Sequence, residues 1–134
     1  MNAKEIMDKE DLNFVLVSDK GTLKSRARGI MPIYENIKDK KDYFEGASVS
    51  DRVIGSAAAI LLVYGGIKDL YTDLISDKAV KILEEAGVSL TYSSKVEDIL
   101  NKDKSGPCPM ESLAKDLPSA QVLIERIGDF FENK

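Results

Sequence analysis

Residues 67–92 read IKDLYTDLISDKAVKILEEAGVSLTY, and this stretch decides the fold class. Ile67 to Ile75 is a strand-length run of apolar and β-prone residues. Ser76 reads as a helix cap, because its hydroxyl can accept a free N–H of the first turn. Asp77 to Ala86 follows as a helix with Val80, Leu83 and Ala86 on its inner stripe, and Gly87 ends it. Val88 to Tyr92 is a second strand. Strand, helix and strand in so short a span imply a right-handed parallel crossover and an α/β fold.

Toward the N-terminus, residues 3–11 read as a short helix and Asn13 to Ser18 as a buried strand. Asp19-Lys20-Gly21 is a hairpin turn, with Gly21 supplying a positive φ. The return strand, Thr22 to Arg28, sets Leu23, Ser25 and Ala27 on one face and Lys24, Arg26 and Arg28 on the other. Gly29 and Pro32 end it. A helix is expected over Ile33 to Lys40, then a loop over 41–50. Asp51 is expected to cap a helix that runs to about Tyr64 and stops at Gly65-Gly66.

Toward the C-terminus, Val96 to Leu100 reads as a short helix and Lys102 to Gly106 as a polar loop. Pro109 suits the first position of a further helix, with Cys108 as its cap. Pro118 breaks the chain, and Ser119 to Phe131 forms the last helix, burying Ala120, Leu123, Ile124, Ile127 and Phe131. The expected architecture is one three-layer α/β/α domain over 1–134: a mixed sheet of four or five strands, helices on both faces, and an antiparallel first hairpin.

The totals narrow the function classes. A chain of 134 residues supports one domain with a real core. Net charge is −4 and the pI near 4.9, which argues against general nucleic-acid binding. The apolar run Val53 to Val63 falls short of the ~20 residues of a membrane span, so it is expected to be a buried helix. The charged N-terminus has no signal-peptide character, and the expected location is cytoplasmic. There is no histidine and one cysteine. No His triad, His general base or internal disulfide can form.

That cysteine lies in Gly106-Pro107-Cys108-Pro109-Met110-Glu111. Together with Ser50-Asp51-Arg52-Val53-Ile54-Gly55-Ser56-Ala57-Ala58-Ala59 and the 75–87 segment, it resembles an uncharacterised family, domain of unknown function 1893, over roughly residues 12–117. The fold of that family is similar to cytidine deaminase. The resemblance implies a deaminase-like scaffold whose zinc motifs have gone. Those enzymes carry His-x-Glu or Cys-x-Glu at one helix start and Cys-x-x-Cys at the next, around one zinc. The matching positions here fall near Asp51-Arg52-Val53 and Ser76 to Ala79, with no His or Cys. No metal and no other cofactor is therefore expected.

What the resemblance leaves is geometry: two helix starts, at Asp51 and Ser76, facing one crevice that favours anions. The expected partner is a small, nucleotide-like or otherwise anionic ligand held by Asp51, Ser56, Ser76 and Arg28. Arg28 ends the hairpin that lies near the substrate sugar in deaminase-like folds. Each residue has a plainer role beside this one. Asp51 and Ser76 are caps, Ser56 belongs to a small-residue packing run, and the basic row to Arg28 protects an edge strand. Cys108 with Glu111 or Asp51 is the alternative centre, a thiol nucleophile or redox sensor with a carboxylate partner, or else a packed thiol beside a helix start. A homo-oligomer built through helices stays open.

Overall fold

Hydrophobic alternation in the first strand sets the two faces of the sheet. In the computed structural model, which describes residues 2–100, 106 and 108–132, β1 (Phe14–Ser18) turns Phe14 and Leu16 to one side and Val15 to the other, all fully buried. Phe14 and Leu16 join a large core, whereas Val15 joins a small one with Ala3, Met7 and Leu12. The strand order is β2 (Gly21–Ser25), β1, β3 (Ser48–Ile54), β4 (Asp69–Ser76) and β5 (Ser89–Val96). β1 runs antiparallel to both β2 and β3; β3, β4 and β5 are parallel. Helices α2 (Met31–Asp39), α4 (Ser56–Gly65), α5 (Asp77–Glu85) and α7 (Ala120–Glu132) supply the large core, and α1 (Ala3–Lys9) covers the small one. The short pieces α3 (Lys41–Phe44) and α6 (Pro109–Leu113) complete the described elements. A mixed five-stranded sheet flanked by helices is thus the architecture.

The largest departure from the sequence reading is β3. Residues 48–50 were expected in a loop and Asp51 at a helix N-cap, but all of them lie in the central strand. Asp51 pairs with Phe14 on one side and Thr72 on the other. The helix begins five residues later, at Ser56, with Gly55 as its N-cap. The cause is burial of polar residues. Ser50 and Asp51 occupy positions where a central strand ordinarily carries Val or Ile, so no apolar run marks it. The ladder also departs from a strict period of two. Val49 and Ile54 are five residues apart yet share the large core, as do Leu70 and Ile75 in β4. Between them, Asp51 Oδ1 accepts the Val53 N–H and Thr72 Oγ1 donates to the Leu74 carbonyl, each bond reaching two residues along its own strand.

Smaller corrections follow the same logic. The strand expected to reach Arg28 stops at Ser25, and Pro32 stands in the first turn of α2 rather than ending a strand. β5 continues to Val96, and residues 97–100 are not helical, against the short helix expected there. The polar run 102–105 lies outside the described residues. Ser76 does cap α5, accepting the Ala79 N–H at 3.2 Å. α4 is apolar on all sides because it is central, with Ala57, Ala59, Leu61 and Leu62 buried. Among the described residues no helix is long and apolar enough to cross a membrane.

Candidate functional site

Polar residues on β3 define the site. The β1 register puts Asp51 on the same face as Phe14, toward the large core, and only 6% of its surface is exposed. Arg52, the next residue, turns to the opposite face. Its guanidinium lies 3.1 Å from both Asp8 and Asp73 and donates to the Leu12 carbonyl at 3.0 Å. Asp51 therefore has no ion-pair partner among the described residues. Its side chain accepts the backbone N–H of Val53 at 3.4 Å; the nearby Arg52 N–H donates to the Asn13 carbonyl at 3.3 Å. Burial pushes the Asp51 carboxyl up to about 8; those N–H groups and the Arg52 charge oppose the shift, and Asp73 adds to it.

Asp51 lines a cavity of about 250 Å³ with Asn13, Arg28, Gly29, Arg52 and Val53. Arg28 is exposed, and no hydrogen bond or ion pair engages its side chain among the described residues. Gly29 turns the chain away from Arg28 at φ 75°, in the left-handed region where glycine costs least. Gly29 and Val53 also line a second, apolar cavity of about 110 Å³ with Ile30, Ile99, Met110, Cys108 and Glu111 on its walls. The two cavities thus adjoin across a shared wall. Arg28 and Asp51 lie in one and Cys108 and Glu111 in the other.

Glu111 joins this cleft to α4. The first N–H groups of a helix have no partner within it, and Gly55 brings no side chain to cap them. The Glu111 carboxylate accepts the Ser56 N–H at 2.6 Å instead. Gly55 is required for this approach, because a Cβ there would overlap the carboxylate. The sequence offers Glu111 as the carboxylate partner of Cys108 and places Ser56, beside Gly55, in a small-residue packing run. Neither role includes the contact they make, which crosses 55 positions of sequence.

The remaining candidates separate. Cys108 is the N-cap of α6 by position, half-buried, but its sulfur caps nothing. Ser56 is buried, and its hydroxyl has no hydrogen-bond partner among the described residues. Ser56 lines neither cavity, and Ser76, engaged in capping α5, lines neither as well. The pair of open helix starts expected from the sequence is therefore replaced by two occupied ones, α5 by its own Ser76 and α4 by Glu111 of α6. Asn13, Val53 and Ile99 line the cleft without any signal in the sequence. Among the described residues no three His, Cys, Asp or Glu side chains are grouped to hold a metal.

A model of the family described as a domain of unknown function (DUF1893) matches residues 2–131. The chain belongs to the DUF1893 family. A solved relative agrees: the crystal structure of a DUF1893 family protein from Thermotoga maritima, at 2.70 Å resolution, superposes with a TM-score of 0.84. The two chains are 29% identical, and the match covers 95% of this chain and 86% of that one. No curated protein matches. The DUF1893 match spans both cavities and the β3–α4 junction between them.

Proposed function

We propose that this DUF1893 protein is a metal-free binding module on a cytidine-deaminase-like scaffold, taking a nucleotide-like or other small anionic ligand in the paired cavities. One observation carries the reading. A buried carboxyl and an exposed guanidinium, Asp51 and Arg28, line the same cavity and neither has a charged partner among the described residues. Buried ionisable groups are ordinarily paired with an opposite charge, so one without a counter-ion beside open volume marks a place where something binds. Arg28 offers a planar fork of N–H donors suited to phosphate or carboxylate. The apolar cavity beyond Val53 suits a flat, uncharged group.

The deaminase zinc does not fit. The two helix starts present Gly55-Ser56 and Ser76-Asp77, with Glu111 across from the first. None is a thiol or an imidazole, the donors zinc favours, and Glu111 is engaged by a backbone N–H. We propose a cytoplasmic protein with neither nucleic acid nor membrane as partner; its acidic charge speaks against a nucleic-acid surface.

Thermal-shift and calorimetric screens of nucleotides test the proposal. Saturable binding below millimolar, weakened by Arg28→Gln, is the expected result; a blank screen ends it. Cys108 gives the second reading, since it shares the apolar cavity with Glu111. A reactive thiol there requires thiolate at neutral pH, so a measured Cys108 pKa at or above ~8.5 removes that alternative.

A further inference from the structure

We infer that Asp51 acts in this site as a carboxylic acid, holding the uncharged donor–acceptor edge of a base-like group while Arg28 holds the ligand's anion. The inference rests on the nucleotide-like reading above and specifies its chemistry.

Geometry comes first. Asp51 sits on the middle strand of the sheet, between Phe14 and Thr72, with one side on the cavity. No side chain among the described residues hydrogen-bonds it; the backbone N–H of Val53 is its donor. The charged groups near it are Arg28, on the wall of the same cavity, and Arg52 and Asp73, which pair with each other on the opposite face of the sheet. Arg52 is drawn to the far face by Asp8 and Asp73, and Arg28 stays exposed. An ionised Asp51 would be a buried charge with no counter-ion, an arrangement that proteins avoid by neutralising the group.

The protonated form has different chemistry. It presents one O–H donor beside one carbonyl acceptor, so it meets a group with an acceptor beside a donor at two points. Amides and the amidine edges of adenine and cytosine have that pattern. A carboxylate offers acceptors alone, and it would repel an anion placed at Arg28 in the same cavity. The protonation state of one residue therefore sets which ligands enter. An anion with a neutral hydrogen-bonding edge fits the acid form and is rejected by the ionised form. The raised titration of Asp51 supports this assignment.

Calorimetry with AMP and CMP at pH 7.0 and 9.5 tests it. Neither base changes charge over that range, and the phosphate titrates lower, near ~6. For whichever nucleotide binds, wild-type affinity is expected to fall about thirtyfold between the two conditions, in step with the protonated fraction of a group titrating near 8. Asp51→Asn keeps the donor and acceptor without the proton equilibrium. Its affinity is expected to be the same at pH 7.0 and 9.5, so that the pH dependence of the wild type is lost. Arg28→Gln should weaken binding at both values and leave the pH dependence in place. A carbon-13 titration of the wild-type Asp51 carboxyl gives a readout that needs no variant: its midpoint should lie near 8 and rise with bound nucleotide. Nucleotide binding that is flat with pH, or a carboxyl titrating below 5, overturns the acid assignment while the binding site stands. Failure of both nucleotides to bind the wild type at pH 7.0 overturns the nucleotide reading and this inference with it.

Discussion

Two strand–helix units, β3–α4 and β4–α5, lie side by side in register and meet the same demands by different means. Asp51 on β3 stands beside Thr72 on β4, and Ile54 beside Ile75. At the first level β4 buries a hydroxyl that donates to its own strand, whereas β3 buries an acid with no side-chain partner among the described residues. At the second level α5 is capped by Ser76, three residues from the N–H it serves. α4 is capped by Glu111, from the far end of the chain. The β4–α5 unit is complete in itself. The β3–α4 unit is completed by α6, and both cavities open on it. A remote cap costs local independence, and in return it fixes the cleft wall that carries Cys108 and Met110 to the helix start beneath it.

The largest effect expected from breaking this contrast is electrostatic. In the folded state Asp51 holds its proton up to about pH 8, whereas an unfolded aspartate loses it near ~3.9. The folded form therefore binds more protons between those values, and its contribution to stability falls as pH rises through that window. Asp51→Asn removes the dependence. Urea unfolding at pH 9 should show the variant more stable by up to roughly 5 kcal/mol, with the difference vanishing near pH 4. Equal stabilities at pH 9 would mean that the acid is solvated or paired.

Next in size is Gly55→Ala. The backbone at Gly55 (φ −105°, ψ −172°) admits any residue, so the cost is steric: the new methyl displaces the Glu111 carboxylate. Overpacking and a lost charge-assisted bond together should cost roughly 3 kcal/mol. Glu111→Ala removes the bond without the overlap and should cost roughly 2 kcal/mol. Hydrogen exchange should then quicken at the start of α4 and leave α5 unchanged. Ser76→Ala is the smallest, about 1 kcal/mol, with faster exchange confined to the start of α5. If Ser76→Ala proved the costlier of the two cap removals, Glu111 would be a surface carboxylate and not the closure of α4.

Legibility followed the range of each interaction. The β4–α5–β5 segment could be read directly, because apolar strands, a Ser cap and a terminating Gly are all local signals. The hairpin was readable for the same reason, and the half-buried Leu23 and Ser25 alternate with exposed Thr22 and Lys24 as expected. β3 was not, since Ser48-Val49-Ser50-Asp51-Arg52 has the composition of a loop and becomes a strand because β1 and β4 flank it. Arg28, Asp51, Cys108 and Glu111, which carry signals in the sequence, line the two adjoining cavities, with Asp51 on a strand and Glu111 against α4; Ser56 and Ser76 line neither.

Composition and short-range pattern were sufficient for an α/β domain without histidine chemistry, for the parallel crossover at 67–92 and for most helix limits. These depend on periodicity and capping, which act over three or four residues. Packing alone put an acid in the central strand, brought Glu111 onto Gly55 and set Arg28 and Asp51 on the wall of one cavity. Such contacts join residues far apart in the chain, and their energies come from desolvation and close approach, quantities that exist only once the chain has folded.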